Sequence, residues 1–201
     1  MSKNINDDGY KRNVFLYLLI RPILLFVAKI IFNPQIIGKE NIPKDDGCVI
    51  ACNHIHAIDP AMLIYSNRRI IHFIAKKELF EGLMKWFYLS FGTIPVDRSK
   101  HNPLALSVAK KYLLNNEIIG IFPEGTRNKE RKGFLPFKYG AVKMAKDTGK
   151  KIVPCVLSGE YKVFNSTIKI KYGKAIDVSG MEILEANEFL RNTMLDMLEE
   201  E

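Results

Sequence analysis

The chain has 201 residues, 47% of them hydrophobic and 26% charged, a composition that excludes disordered, collagen-like and multi-pass membrane proteins and suits one globular core. Its net charge of +8 asks for an anionic partner without distinguishing nucleic acid, acidic lipid or phosphorylated metabolite. The surplus is uneven: residues 126–151 hold nine basic and two acidic side chains, whereas residues 182–201 hold seven acidic and one basic. No RNP-like aromatic motif, zinc-finger spacing or heptad-linked basic region accompanies the basic stretch, so nucleic acid is not expected as a partner.

Residues 14–32, VFLYLLIRPILLFVAKIIF, carry only Arg21 and Lys29 as charges. As one helix they would span about 28 Å, near the thickness of a hydrocarbon core, but Arg21-Pro22 falls at the middle. There proline removes a hydrogen bond and a cation is most costly. The expectation is therefore a two-helix hairpin broken at Arg21, with Pro22 opening the second helix. That hairpin would lie in the membrane interface, with Lys11, Arg12, Arg21 and Lys29 toward lipid phosphates and Phe15, Leu16, Leu19, Leu24, Leu25 and Phe26 toward the acyl boundary. The alternatives are a transmembrane helix and a helix pair packed on the protein's own core. The expected division is an appendage over residues 1–35 and a second unit over residues 36–201.

Beyond residue 36, β-branched runs predict strands at 48–52, 70–75, 93–96, 118–122, 152–157 and 168–172. Amphipathic stretches predict helices at 60–67, 82–89, 103–115, 139–148 and 181–199. This alternation reads as one α/β domain whose mixed, largely parallel sheet is flanked by helices. Cys48, Cys52 and Cys155 cannot all pair, and no secretory signal precedes them, so a reducing, cytoplasmic setting is expected.

The strand at 48–52 runs into Asn53-His54-Ile55-His56-Ala57-Ile58-Asp59-Pro60, placing a polar cluster where sites gather in open α/β sheets, just past a strand's carboxyl end. His54 and Asp59 lie five residues apart, about 140° around a continuous helix, so they meet only if the chain turns. Pro60 favours such a turn. Asp59 is then either a helix N-cap or a carboxylate that accepts the N–H of His54, fixes its tautomer and raises the basicity of the other ring nitrogen. With no serine or cysteine nucleophile beside it, a His–Asp pair suits deprotonation of a substrate's own hydroxyl. Metal chemistry is not expected from Cys48, Cys52, His54, His56 and Cys155, since neither a zinc CxxC nor an HExxH pattern occurs. A Gly-x-Ser-x-Gly elbow is absent as well.

Asn53-His54-(four residues)-Asp59 resembles the first signature block of the PlsC family of glycerolipid acyltransferases. Three further blocks follow in the family's order: Ala75-Lys76-Lys77-Glu78-Leu79-Phe80 leading to Gly92-Thr93-Ile94-Pro95-Val96-Asp97-Arg98, then Phe122-Pro123-Glu124-Gly125-Thr126-Arg127, then Val153-Pro154 before Gly159. The resemblance covers residues 36–175 and implies acyl transfer from an acyl carrier protein or coenzyme A thioester to the free hydroxyl of 1-acylglycerol 3-phosphate, giving phosphatidate. It implies that His54 is the base and Asp59 its support. It further implies that Arg98 contacts the acceptor phosphate and that Glu124, Gly125, Thr126 and Arg127 bind the glycerol phosphate. Lys76 and Lys138, the latter in a pattern similar to the family's Phe-Lys-x-Gly, are expected as further anion contacts. His56 stands where many members have serine, which leaves the choice of base between two imidazoles open.

The expected partners are thus an anionic lipid surface, lysophosphatidate and a thioester donor, with no cofactor and no metal, at the cytoplasmic face of the membrane. Glycerol 3-phosphate or another lysolipid is the alternative acceptor. A non-catalytic membrane adaptor is the alternative of a different class.

Overall fold

A computed structural model describes residues 14–81, 85–96, 103–130 and 133–200. Seven strands, β1 (Gln35–Ile37), β2 (Cys48–Cys52), β3 (Ile71–Lys76), β4 (Ile94–Val96), β5 (Ile118–Ile121), β6 (Lys151–Ser158) and β7 (Lys169–Tyr172), form one sheet in the order β1-β7-β6-β2-β5-β3-β4. Pairing is parallel from β6 through β2, β5 and β3 to β4, antiparallel between β6 and β7, and parallel between β7 and β1. Six helices flank the sheet: α1 (Val14–Ile31), α2 (Asp59–Ser66), α3 (Lys85–Ser90), α4 (Pro103–Leu114), α5 (Gly140–Thr148) and α6 (Ile183–Glu199). This is the mixed, largely parallel α/β architecture expected from the sequence.

Strand β2 is the central strand of the seven and is buried along its whole length. Its side chains alternate between two cores, as a period of two residues requires. Cys48, Ile50 and Cys52 meet Tyr17 and Ala28 of α1, Met62 and Leu63 of α2, and Phe91. Val49 and Ala51 meet the other core, filled by Ala109 and Leu113 of α4, Met144 of α5 and Met194 of α6. Strand β2 therefore hands the chain to a helix on one face and β5 hands it to a helix on the other. The crevice between the carboxyl ends of these neighbours is a topological switch point.

The helical boundaries differ from the hydrophobic pattern where capping decides them. Helix α6 starts at Ile183 because Glu182 and Glu185 form a capping box, two residues later than the apolar run suggests. The expected helix at 82–89 is observed from Lys85, residues 82–84 lying outside the described residues. Strand β1 escaped the pattern because three residues are too short to show alternation. Pro154 sits inside β6, within the strand expected at 152–157. Its carbonyl accepts the Gly173 amide at 2.9 Å, just past the β7 ladder. A Cβ on Gly173 would lie 2.9 Å from the Pro154 ring, so the glycine makes room for a proline that the ladder would otherwise exclude.

The hairpin expected at the N-terminus is corrected: no break occurs at Arg21, and Val14–Ile31 is a single helix with Pro22 inside it. The lost Pro22 donor costs about 3 kcal/mol in an isolated helix, but tertiary contacts hold both halves. Tyr17 before the proline and Ala28 after it are both buried in the core shared with α2. Arg21, expected to face lipid, turns inward and donates to the Asn67 carbonyl at 2.8 Å, at the C-terminal cap of α2, where the helix dipole favours a cation. Leu24 likewise packs against the core. The opposite face is bare: Phe15, Leu18, Leu19, Ile23, Phe26, Val27 and Ile30 are exposed. No helix among the described residues is long and apolar enough to cross a membrane.

All three cysteines are free and buried. Burial pushes the Cys48 thiol up to about 12, and burial together with the adjacent Cys155 raises the Cys52 thiol well above its ordinary value. Because the thiolate is the reactive form, a disulfide reagent such as DTNB at pH 8 is expected to titrate none of the three thiols in the folded protein and all three after unfolding in guanidinium. Immediate reaction of the native protein would contradict this packing.

Candidate active site

The chain leaves β2 through Asn53, whose buried side-chain amide takes over from the strand. Its Nδ2 donates to the Leu157 carbonyl at 2.9 Å and its Oδ1 accepts the Leu157 amide at 2.7 Å, fastening the exit of β2 to β6. The next residues turn back on themselves. Asp59, the first residue of α2, has no exposed surface and reaches back toward the strand end instead of capping its own helix. Its Oδ2 accepts the Ile55 amide at 2.7 Å, the His56 amide at 2.8 Å and His54 Nδ1 at 2.7 Å. Its Oδ1 accepts the Tyr161 hydroxyl at 2.7 Å. Four donors, together with the favourable N-terminal end of α2, compensate the cost of burying the carboxylate.

An ionised carboxylate only accepts, so His54 carries its proton on Nδ1 and presents a lone pair at Nε2. Nε2 has no hydrogen-bond partner among the described residues, and the side chain keeps 17% of its surface exposed. The imidazole lies flat on Phe122, with centroids 4.1 Å apart and planes 19° from parallel. Phe122 in turn stacks on Phe73 of β3 at 5.9 Å. Gly120 permits this column, since a Cβ there would come within 2.5 Å of the Phe73 ring. The His54 ring is thus seated on Phe122, one residue past β5, with Phe73 of β3 behind it.

The two imidazoles stand in different surroundings. His56 Nδ1 accepts from the Ile58 amide at 3.4 Å, and its ring packs on Tyr161 at 4.7 Å. Its Nδ1 faces a donor, not a carboxylate, so it lacks the support that His54 has. A second His–carboxylate pair, His72 Nε2 and Glu117 Oε2 at 2.5 Å, was not singled out from the sequence. It lies at the amino ends of β3 and β5, with His72 wholly buried under Tyr112 at 3.9 Å, where no substrate reaches it.

Glu124 is close to His54, but its carboxylate is turned to the backbone. Oε1 accepts the His54 amide and Oε2 the Leu135 amide, both at 2.9 Å, on a side chain that is buried. With these two bonds it ties the His54 turn to the segment leading into α5. Gly125, at φ 69°, closes a tight turn by donating its amide to the Phe122 carbonyl at 2.9 Å. A Cβ at Gly125 would lie 2.8 Å from Lys138 Cε and 2.9 Å from its Nζ, so the glycine lets the Lys138 ammonium lie over the turn. The Lys138 amide donates to the Pro123 carbonyl at 2.8 Å.

Thr126 and Arg127 follow on the surface, and the Asn128 amide donates to the His54 carbonyl at 2.7 Å. Lys76 ends β3, exposed, beside β4. Because β2, β3, β4 and β5 are parallel, their carboxyl ends bring His54, Lys76 and the Glu124–Arg127 turn to one edge of the sheet. Arg98 lies outside the described residues, two positions past the end of β4.

Sequence reasoning missed Tyr161, which follows β6 and enters the site from its other side. Its one signal was a place two residues after Gly159, where the fourth block ends. Among the described residues no group of three histidine, cysteine or acidic side chains is placed to hold a metal ion.

This constellation can take a proton from a hydroxyl at His54 Nε2 and hold the imidazolium against Asp59 beside a cluster of cations. Residues 33–158 match the family model described as Acyltransferase. The chain is 39% identical over 129 residues to the 1-acyl-sn-glycerol-3-phosphate acyltransferase of Bacillus subtilis, covering 62% of each chain, so the match spans less than two thirds of that relative. It is 30% identical over 170 residues to the protein of the same name from Borreliella burgdorferi, covering 82% of this chain and 68% of that one. The crystal structure of the 1-acyl-sn-glycerophosphate acyltransferase PlsC from Thermotoga maritima superimposes with a TM-score of 0.73, over 92% of this chain and 80% of that one. At 22% identity this likeness speaks for the fold. Site geometry, domain match and relatives agree: the chain belongs to the Acyltransferase family that its four motifs resemble.

Proposed function

We propose that this protein transfers a fatty acyl group from a thioester, on acyl carrier protein or coenzyme A, to the sn-2 hydroxyl of 1-acylglycerol 3-phosphate. The observation that carries the reading is the His54–Asp59 pair, held with Nδ1 on the carboxylate and Nε2 unengaged at the switch point of the sheet. The relatives' shared name supports lysophosphatidate as the acceptor.

His54 Nε2 takes the hydroxyl proton as the oxygen attacks the thioester carbonyl, while Asp59 Oδ2 stabilises the imidazolium through Nδ1. Collapse of the tetrahedral intermediate breaks the C–S bond, and the departing thiolate takes the proton back from Nε2. The products are the ester and a free thiol, so atoms and protons balance with no covalent acyl-enzyme, no metal and no cofactor beyond the donor. Arg98, Arg127, Lys76 and Lys138 neutralise the acceptor phosphate, the two arginines through planar forks suited to it. Binding both substrates at one sheet edge supplies much of the acceleration through proximity.

The acceptor carries an acyl chain, and the bare face of α1 fits a lipid surface. Phe15 and Phe26 are 77% and 66% exposed, and Val163 and Phe164 add 62% and 75% beside the end of that helix. Phe164 is tied there by its amide, which donates to the Ile31 carbonyl at 2.9 Å. Lys29 in the last turn of α1 suits anionic headgroups. The protein then sits on the membrane, at its cytoplasmic face, as a peripheral enzyme.

An acceptor panel of lysophosphatidate, glycerol 3-phosphate and other lysophospholipids, run with labelled acyl thioester on each carrier, is expected to show transfer to lysophosphatidate. His54→Ala should reduce it at least a thousandfold, in line with loss of a general base within a coupled pair, with thermal stability and vesicle binding retained. Failure of every acceptor would sink the reading. For the lipid surface, Leu19→Asp and Phe26→Asp are each expected to weaken partition onto anionic vesicles by roughly tenfold or more, measured by co-sedimentation. Unchanged partition would remove α1 as the docking face.

A further inference from the structure

The three donors on Asp59 Oδ2 all come from the turn at residues 54–56, whereas among the described residues Oδ1 has one donor, the Tyr161 hydroxyl at 2.7 Å. We infer that Tyr161 is a positioning residue for the His54 base, acting through Asp59. A carboxylate with no exposed surface cannot turn to water for a replacement partner. Without the phenol, the carboxylate is drawn to rotate about its χ2 torsion, bringing Oδ1 toward the donors now gathered on Oδ2. That rotation takes Oδ2 off the line of His54 Nδ1, and with it goes the control of the imidazole tautomer.

The loop that carries Tyr161 has the rigidity this role needs. Gly159 sits at φ 83°, where a Cβ would meet the Thr167 carbonyl. The Glu160 amide donates to Thr167 Oγ1 at 3.0 Å and the Thr167 amide returns to the Glu160 carbonyl at 3.2 Å, closing the loop on itself. The Tyr161 ring is then clamped between Phe32, edge-on at 5.6 Å, and His56 at 4.7 Å. The hydroxyl is delivered to Asp59 from 102 residues further along the chain by a loop whose own bonds fix its reach.

The inference rests on His54 being the proton acceptor, and the test separates the two claims. Tyr161→Phe keeps the ring between Phe32 and His56 and removes only the donor. In the full chain labelled with 15N-histidine, long-range proton–nitrogen spectra at pH 8 are expected to show His54 as a single Nδ1–H tautomer in the wild type and as an average of both tautomers in Tyr161→Phe. With lysophosphatidate and acyl-coenzyme A, the variant is expected to lose roughly tenfold in kcat, the scale of one hydrogen bond to a charged group, with KM for both substrates unchanged. A variant with the wild-type tautomer spectrum and wild-type kcat would overturn the inference. So would a raised KM at unchanged kcat, which would make Tyr161 a wall of the acceptor site. Should the wild type acylate nothing, the reading of His54 as base falls, while the spectra still decide whether Tyr161 governs its tautomer.

Discussion

A carboxylate with no contact to solvent governs the local design at the end of β2. Asp59 needs donors around its whole rim, and the chain supplies them by reversing direction at residues 54–56 so that two consecutive amides and an imidazole point at one oxygen. That reversal is why β2 stops at Cys52 and why Asn53 grips Leu157 with its side chain as the backbone departs. A second buried carboxylate, Glu124, answers the first from the turn after β5 by accepting the amide of His54 itself. Two acids of one charge thus divide the histidine between them: one holds its ring and the other holds its backbone.

The sheet makes this arrangement possible at a distance. The parallel order β2-β5-β3-β4 aligns the carboxyl ends of its strands, and the reversal of winding between β2 and β5 opens the edge there. Gly120 then allows Phe73 to lie across β5, Phe73 backs Phe122, and Phe122 backs the imidazole. One face of the His54 imidazole is therefore covered by aromatic carbon. Its approachable part is the edge that carries Nε2.

How much of this was legible in the sequence follows from how local each interaction is. His54, Asp59 and Pro60 share one turn, so their spacing carried enough geometry to pair them. Lys138 and Gly125 were found as motif members, but their mutual packing was not, since it depends on two turns folding together. Glu124 was named as a motif member, but its bonds to the His54 and Leu135 amides were not legible, because a motif records which residue is present and says nothing of which way a carboxylate turns. Tyr161 belongs to no motif and meets Asp59 only once β6 lies beside β2. The helix through Pro22 shows the reverse situation. The local signal was strong, but it was outweighed by the burial of Tyr17 and Ala28 and by the bond from Arg21 to Asn67.

The contact between the end of α1 and the 160–166 loop has a consequence for where chemistry takes place in space. Ile31 accepts the Phe164 amide, Phe32 packs against Tyr161, and Tyr161 bonds Asp59, so a short run of contacts joins the bare apolar helix to the His54–Asp59 pair. None of these links is a long charged side chain able to swing. On the function proposed above, the height of His54 over the lipid surface beneath α1 is therefore a fixed dimension of the protein. A hydroxyl would have to come to that level to react, and one held deeper or shallower would be out of register before any recognition of its headgroup begins.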